Sequence, residues 1–184
     1  MDQILRQAAR TAPFRAHATL LHLHSEADVQ FLDITDRVRA ETEASGVTEG
    51  IVNVQTCHTT TGVVVNENEP MLLEDLADAL ERWAPRGARY RHDHPGLRTA
   101  PLGPDERING HSHARALALG ASASLNVVGG RLQLGRWQRI LFVELDGPQA
   151  RTVSLLVLGA AGRPPAEGRL PAPVRALAAG EARP

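Results

Sequence analysis

The chain has 184 residues, a length typical of one domain, and its 20 basic and 21 acidic residues give a formal net charge of -1. This balance, with only 3% aromatic residues, argues against a basic surface for nucleic acid or anionic membrane and against base-stacking platforms. The single cysteine requires no oxidising compartment, and no apolar stretch approaches the ~20 residues of a spanning helix, so we expect a cytoplasmic protein without nucleic-acid or membrane partners.

The hydrophobic pattern predicts strands and helices along one domain at 14–159. Residues 14–24 and 30–34 are expected to pair as a hairpin, and the last three strands to form a meander. We therefore expect an α+β fold of about eight largely antiparallel strands packed with about three helices. In chain order, the strands are predicted at 14–24, 30–34, 50–58, 62–68, 122–128, 131–135, 138–145 and 151–159, and the helices at 35–45, 70–83 and 114–119.

Local signals predict where several elements begin and end. Thr35 is expected to cap the first helix, and Gly46 to end it. Pro70 suits the first position of the second helix, with Glu69 among its capping candidates. The pair at 129–130 is Gly-Gly, which is typical of a tight hairpin turn.

Three segments fall outside this pattern. Residues 1–13 are expected to form an N-terminal appendage. Residues 160–184 are mostly Ala, Pro, Gly and Arg, so we expect a disordered tail that buries too little surface to offset chain entropy. Residues 85–108 contain four prolines and no periodicity, which predicts a long functional or mobile loop that carries His92.

The first candidate site residue is His58, at the end of a predicted strand. Its imidazole can ligate a metal or shuttle a proton near neutral pH, and the hydroxyls of Thr59 and Thr60 can help to hold a phosphate or carboxylate. The alternative is a histidine that only hydrogen-bonds the turn. Cys57 points to the other strand face, so we interpret it as a small buried hydrophobe.

A second polar run, at 66–69, alternates amide and carboxylate where a strand leads into a helix. Glu67 or Glu69 is a candidate general base or an oxygen ligand for Mg²⁺. Helix capping and a favourable interaction with the helix dipole explain the same carboxylates equally well.

A group of histidines supplies the third candidate. His111 and His113 lie nearly opposite each other on a regular helix but can converge where the chain is still extended at a helix start. Together with His58 they would form a three-histidine constellation of the kind that binds zinc, with His92 as a further candidate ligand.

Polar side chains near these histidines extend the candidate site. Asn109 starts the histidine-bearing helix, and Arg115 is either a phosphate partner or an ordinary exposed helical arginine. We expect the stretches 57–69 and 109–147 to meet in one polar pocket.

The region of the last hairpins is interpreted structurally. Trp137 is expected in the core or an interface, and Gln138 is expected to bond the backbone. Glu144, Asp146 and Arg151 flank a turn, and we interpret them as a structural ion pair across it.

Several separate motifs, in order and with natural spacing, resemble one family. They are HTTTGVVVNENE at 58–69, YRH at 90–92, NGHSHARALALGAS at 109–122, GGRLQLGRWQ at 129–138 and ELDGPQART at 144–152. Together they resemble the YjbQ-like family, described as secondary thiamine-phosphate synthase. The resemblance covers about residues 14–159.

The resemblance implies a compact α+β fold that assembles as a homotrimer. It also implies a weak thiamine-phosphate synthase activity, which joins a pyrimidine pyrophosphate to a thiazole phosphate and releases pyrophosphate. A divalent metal, Mg²⁺ or zinc, or a basic donor would stabilise the leaving pyrophosphate. The polar positions of the family motif fall on His58, Thr59, Thr60, Asn66, Glu67, His92, Asn109, His111 and His113.

Three functions follow as hypotheses. The first is a transferase in which His58 and His113 polarise or protonate the leaving group and Glu67 is a metal ligand or base. The second is a metal-dependent hydrolase or lyase that uses His58, His92 and His113, with His111 as a further possible ligand. The third is a trimeric ligand-binding protein without turnover. The expected contacts to a small phosphorylated substrate are Thr59, Thr60, Asn66, Asn109 and Arg115.

Overall fold

The computed structural model describes residues 12–98 and 107–162. Within these ranges the chain forms eight strands in two antiparallel sheets and three α-helices, which confirms the predicted α+β class. Two short 3-10 helices, Arg91–Asp93 and Pro95–Leu97, lie in the predicted long loop. The strands are β1 (Phe14–His24), β2 (Gln30–Asp33), β3 (Val47–Thr56), β4 (Thr61–Asn66), β5 (Ser122–Val128), β6 (Arg131–Leu132), β7 (Arg139–Glu144) and β8 (Ala150–Ala161), and the helices are α1 (Thr35–Ser45), α2 (Pro70–Trp83) and α3 (Gly110–Leu119).

The two sheets divide the strands in a way that the sequence does not reveal. The larger sheet has the order β1-β8-β3-β5-β6, and the smaller has the order β2-β7-β4. The predicted hairpin between β1 and β2 is therefore wrong, because β1 pairs with β8 and β2 pairs with β7. The predicted terminal meander is also wrong, because β7 lies in the other sheet from β6 and β8. Alternation shows which face of a strand is apolar but not which strand lies beside it.

The hydrophobic core lies between the inner faces of these sheets. Alternate residues of β3 and β8 in the larger sheet face β7 of the smaller sheet, and Val38 of α1 joins them. Residues 140–144 of β7 are all buried, because β7 is the central strand of its sheet. The fully buried strand residues include Val52, Val54, Ile140, Phe142, Val153, Leu155 and Val157.

Most of the predicted turn and cap signals act as expected. Gly46 ends α1 with a φ of 67°, and Gly129 and Gly130 turn between β5 and β6 with φ values of 60° and 78°. Glu69 caps α2 by accepting hydrogen bonds from Met71 N (3.0 Å) and Leu72 N (2.8 Å).

One predicted cap and one predicted boundary are wrong. Thr35 is the first residue of α1 rather than its cap, and its hydroxyl accepts a hydrogen bond from Ile140 N at 2.8 Å. The tail is expected from residue 160, but β8 continues to Ala161, whose N–H donates to the carbonyl of Pro13 at 2.7 Å. The rest of the predicted tail, and the predicted appendage up to residue 11, lie outside the described residues.

The apolar face of α2 is only partly covered. No residue of α2 is fully buried, and Trp83 is 56% exposed beside an apolar groove of about 330 Å³ between α2, α3 and the smaller sheet. None of the helices that the structure describes is long and apolar enough to span a membrane.

Candidate functional site

A buried ion pair anchors the candidate site where β7 ends and β8 begins. Glu144 is fully buried, and its carboxylate accepts hydrogen bonds from Arg151 Nε (2.7 Å), Arg151 Nη2 (2.6 Å) and Ser25 Oγ (2.9 Å). Burial alone would raise the pKa of Glu144, but the hydrogen bonds from Arg151, the Asp146 amide and Ser25, with the Arg151 charge, lower it overall. The pair therefore stays ionised, and the expected structural ion pair at this turn is confirmed.

His58 lies beside this pair in the turn after β3. Its Nε2 atom accepts a hydrogen bond from the backbone N–H of Thr152 at 2.8 Å. A nitrogen that accepts this bond cannot hold a proton, so neutral His58 carries its proton on Nδ1. Burial lowers the pKa of His58, the Arg151 charge lowers it further, and Glu144 partly opposes both. His58 is therefore a fixed neutral donor through Nδ1–H.

The neighbours of His58 differ in what they can do. Thr60 is buried, and its hydroxyl accepts a hydrogen bond from Arg151 Nη2 at 3.2 Å, whereas Thr59 is exposed. Thr60 therefore helps to hold the buried ion pair, and Thr59 is the hydroxyl that solvent or a ligand can reach. Cys57 is exposed, so its prediction as a buried hydrophobe is wrong. Cys57 lies on the solvent-exposed face of the larger sheet.

The start of α3 is tied to the same chain segment. Asn109 Nδ2 donates to Asp146 Oδ2 at 2.8 Å, and Ser112 Oγ donates to the carbonyl of Leu145 at 2.5 Å. Arg107 forms an ion pair with Asp146 at 3.1 Å. The segment around His58 lies beside the carboxylate of Glu144, and the segment around Asn109 lies beside that of Asp146. Because Glu144 and Asp146 are two residues apart, the two segments are close to each other.

Two histidines from different elements are in contact here. The rings of His92 and His113 meet edge to face, with their centroids 4.6 Å apart. Burial lowers the pKa of His113, and the His92 charge lowers it further, so His113 is a neutral proton acceptor at neutral pH. His111 lies apart from this pair: it is buried, its ring centroid is 6.4 Å from that of Tyr90, and burial lowers its pKa as well.

A glycine permits this contact between elements. A Cβ added at Gly110 would lie 2.5 Å from Tyr90 Cβ and 3.1 Å from Asp93 Oδ1. The Gly110 N–H donates to that same Asp93 oxygen at 2.8 Å. The close approach holds the 91–93 turn against α3 and thereby places His92 on His113. The glycine of the NGH sequence is the signal that could have revealed this packing.

The predicted polar run at 66–69 does not join these groups. Thr61 pairs with Glu144 and Asn66 pairs with Arg139, so His58 precedes one end of β4 and Glu67 follows the other. Six strand residues rise about 20 Å in total. One subunit therefore does not bring Glu67 to the histidines, and the expectation of a single polar pocket is wrong for this part. Asn66 bonds locally, accepting a hydrogen bond from Glu67 N at 2.9 Å.

Arg115 is neither an exposed helical arginine nor free to take a phosphate. Its side chain is 3% exposed, forms an ion pair with Glu81, and donates from Nε to the carbonyl of Ala84 at 3.0 Å. It thus fastens α3 to the end of α2.

The predicted three-histidine metal cluster does not form within one subunit. In the part of the chain that the structure describes, no three His, Cys, Asp or Glu side chains are grouped so as to hold a metal ion. His92 and His113 are in contact. His58, in contrast, accepts a backbone N–H at Nε2 and carries its proton on Nδ1, so neither of its ring nitrogens is free to bind a metal ion.

Three contributors to the site escape sequence reasoning. Ser25 and Arg107 lie in segments with no distinctive pattern, and they bond Glu144 and Asp146 respectively. Asp93 follows His92 directly in the long loop, and this adjacency is the only feature of the sequence that could have indicated its contribution to the site. Gln138, in contrast, accepts a hydrogen bond from Gly135 N at 2.8 Å, which confirms its expected backbone role.

Comparison with known proteins gives a consistent result. A family model described as UPF0047 protein YjbQ-like matches residues 19–160. The chain is 39% identical over 139 residues to a UPF0047 protein of Methanothermobacter thermautotrophicus, covering 76% of this chain and 90% of that protein. It is 40% identical over 138 residues to one of Archaeoglobus fulgidus, covering 75% and 98%.

Solved structures agree with these sequence relatives. A YbjQ-like protein of unknown function from Sulfolobus solfataricus superposes with a TM-score of 0.72 at 30% identity, over 80% of this chain and 99% of that one. A hypothetical protein from Aeropyrum pernix gives a TM-score of 0.69 at 39% identity, over 77% and 98%. These descriptions identify a family and name no reaction.

Proposed function

This chain belongs to the YjbQ-like UPF0047 family, and we propose that it acts on small phosphorylated substrates as a secondary thiamine-phosphate synthase. In that reaction a carbon–nitrogen bond forms between the pyrimidine methylene and the thiazole ring. The carbon–oxygen bond to pyrophosphate breaks, and its electron pair leaves on the pyrophosphate.

The observation that supports this proposal is the contact of His92 with the neutral imidazole of His113, beside Asn109 and Asp146. A neutral imidazole donates one N–H and accepts at its other nitrogen, which suits oxygen atoms of a phosphate. The charge of Arg98 lies close enough to lower the pKa of His113, and Arg107 is paired with Asp146. Positive side chains near a neutral imidazole are a favourable setting for an anion.

The roles differ between the two histidines of the first hypothesis. His58 donates a hydrogen bond through Nδ1–H and does not exchange its proton, because Thr152 N–H occupies Nε2. His113, as a neutral imidazole, polarises the leaving oxygen by a hydrogen bond from its ring N–H. Fixed donors aimed at developing negative charge are the main means by which a protein accelerates such a step. Glu67 takes no part within one subunit.

The residues of one subunit that the structure describes do not fit a resident three-ligand metal, so no step here passes through one. The experiment described below distinguishes the proposed transferase from a metal-dependent hydrolase and from a ligand-binding protein without turnover.

We also propose that the protein assembles as a homotrimer in the cytoplasm. One face of the larger sheet is open and carries large apolar side chains. Phe14 is 72%, Leu20 56% and Ile51 43% exposed, and their pairing with alternate residues of β8 puts them on the same face. Exposed apolar area of this kind is typical of subunit interfaces. Sedimentation equilibrium showing a monomer at micromolar concentration would contradict this assembly.

The test of function combines turnover with binding. Purified protein is incubated with the pyrimidine pyrophosphate and the thiazole phosphate, and thiamine phosphate is measured for the wild type and for His58→Ala and His113→Ala. Glu74→Ala, which removes an exposed side chain of α2, is the control. We expect product from the wild type and the control, and about a hundredfold less from His113→Ala.

Two results would contradict the proposal separately. No product from folded wild-type protein rejects the transferase, and product undiminished in both site variants rejects this site. If the transferase is rejected, an NMR titration of His113 with pyrophosphate helps to distinguish the two remaining functions. A raised His113 pKa without turnover indicates a ligand-binding protein, and release of phosphate only after metal addition indicates a hydrolase.

A further inference from the structure

The described residues leave an apolar groove uncovered on the outer side of the smaller sheet. The groove lies between α2 and α3, has a volume of about 330 Å³, and is lined mainly by apolar side chains such as Phe31, Leu80 and Leu119. Trp83 at its rim is 56% exposed, and no residue of α2 is fully buried although this helix has a pronounced apolar face. Because an amphipathic helix is stabilised by burying that face, the groove suits a further apolar segment.

The groove has an acidic border. Glu74, Asp75 and Asp78 are exposed on α2, against Arg82 as the one basic residue of this helix. Asp75 lies one helical turn before Ala79, which lines the groove, so the two side chains are neighbours. An apolar segment that also carries positive charge would therefore match both the lining and the border.

The C-terminal segment of this chain has that character. Residues 163–184 contain four arginines and two glutamates, and their large apolar side chains all fall in one stretch, LPAPVRAL at 170–177. Proline-rich stretches bind aromatic-lined grooves at a low cost in entropy, and an arginine beside them can pair with a carboxylate. The segment follows the residues that the family model matches, so its role is not implied by the family.

The segment starts close enough to reach the groove. Ala161 of β8 pairs with Val47, two residues after α1, and Phe31 on the groove wall lies four residues before α1. The path along these residues limits the separation to at most about 40 Å. Residues 163–177 span up to about 50 Å when extended. A tether of this length gives an effective concentration of about a millimolar, so weak contacts suffice to fill the groove.

We propose that residues 170–177 bind in the groove between α2 and α3 of the same chain. Leu170, Val174 and Leu177 pack against the apolar lining, and Arg175 pairs with the acidic border. The tether favours this segment over a second copy of the chain, whose binding depends on protein concentration. The proposal does not rest on the transferase activity, because it concerns a surface outside the histidine site.

Fluorescence of Trp83 in the full chain tests the binding. Trp137 is 60% exposed, so Trp137→Phe should leave the fold intact, and Trp83 is then the only reporter of the chain. Acrylamide quenching measures its exposure. In this background, Leu170→Asp with Leu177→Asp should raise the quenching constant about twofold, because the segment no longer shields one face of the indole. Ala166→Asp with Ala182→Asp adds the same charge outside 170–177 and should leave the constant unchanged.

A disulfide cross-link identifies the chain that supplies the segment. Cys57→Ser removes the only native thiol, and Ala172→Cys with Ala79→Cys places one thiol in the segment and one in the groove. A disulfide forms only when the two residues come within a few ångströms of each other. We expect a cross-link at the mass of a single chain. The control pairs Ala172→Cys with Ala40→Cys, on the exposed side of α1, and should cross-link at least about tenfold more slowly.

Each of four results would overturn the proposal. Equal quenching constants with and without Leu170→Asp and Leu177→Asp would show that the segment does not cover Trp83. An equal rise with Ala166→Asp and Ala182→Asp would assign the effect to charge alone. Cross-links found only at twice the chain mass would place a neighbour's segment in the groove, and equally fast cross-linking to Ala40→Cys would exclude a defined site. The thermal midpoint of each variant shows that it is folded.

Discussion

The substitution Arg151→Met tests whether the buried ion pair holds the candidate site together. Methionine keeps an unbranched apolar chain in the space but removes the three hydrogen bonds that Arg151 donates to Glu144 and Thr60. Glu144 would retain Ser25 and two backbone N–H groups, but its charge would lie in the interior with no counter-ion.

The magnitude follows from the burial of both partners. Their side chains are 4% and 0% exposed, so solvent screens the pair little. Removing one partner of such a pair lowers the free energy of unfolding by about 3–5 kcal/mol. For a domain of this size, that loss corresponds to roughly 10 °C in the thermal midpoint. The matched control Arg131→Met removes an exposed guanidinium and should change the unfolding free energy by less than about 0.5 kcal/mol.

Urea unfolding at a fixed protein concentration measures both variants, since assembly would otherwise add to apparent stability. A double-mutant cycle with Glu144→Met isolates the pair, and we expect the two substitutions to be non-additive by about 2 kcal/mol. A loss below about 1 kcal/mol in Arg151→Met, or additivity in the cycle, would refute the reasoning that this pair is a structural anchor.

Three further outcomes are expected. The folded-state pKa values of His58, His111 and His113 lie below the ordinary 6.5, so the unfolded chain binds protons first as the pH falls. The free energy of unfolding should therefore decrease below about pH 6.5, which urea unfolding at stepped pH would show. A constant free energy of unfolding between pH 7 and pH 5 would contradict this. Glu69→Ala removes the cap of α2 and should lower the unfolding free energy by about 1 kcal/mol, whereas an unchanged urea midpoint would mean that the cap is unimportant. Gly110→Ala forces a Cβ against Tyr90 and should cost about 1–3 kcal/mol and shift the NMR-measured His113 pKa; a neutral result would show that the 91–93 turn yields freely.

Local elements of this fold could be predicted because their signals are local. Glycine at 46 and at 129–130 occupies positive φ, and Pro70 with Glu69 starts a helix, so the residue types alone indicated these ends. Strand partners depend on contacts between distant segments. The short connection after β1 looked like a hairpin loop, yet it carries the chain to the other sheet. Nothing in the alternation of β1 distinguishes β2 from β8 as its neighbour.

The candidate site was predicted in its parts but not in its arrangement. His92 and His113 do meet, as the histidine pattern suggested, because Gly110 allows the loop to approach α3. Cys57 was expected inside because one strand face was assumed to be covered, whereas that face of the larger sheet is open. The role of His58 depended on the Thr152 amide, a backbone group nearly a hundred residues away that no side-chain pattern encodes.

The length of β4 finally limits which mechanisms are possible. His58 and Glu67 belong to one continuous motif, and proximity in sequence suggested a shared role. An extended strand converts that proximity into a separation of about 20 Å, because the register sets Glu144 beside one end and Arg139 beside the other. A hydrogen bond or proton transfer spans only about 3 Å. Glu67 and His58 can therefore act on one substrate only if a second subunit supplies one of them. Within one subunit the two ends of this motif therefore lie in two separate polar regions, one around His58 and one around Glu67.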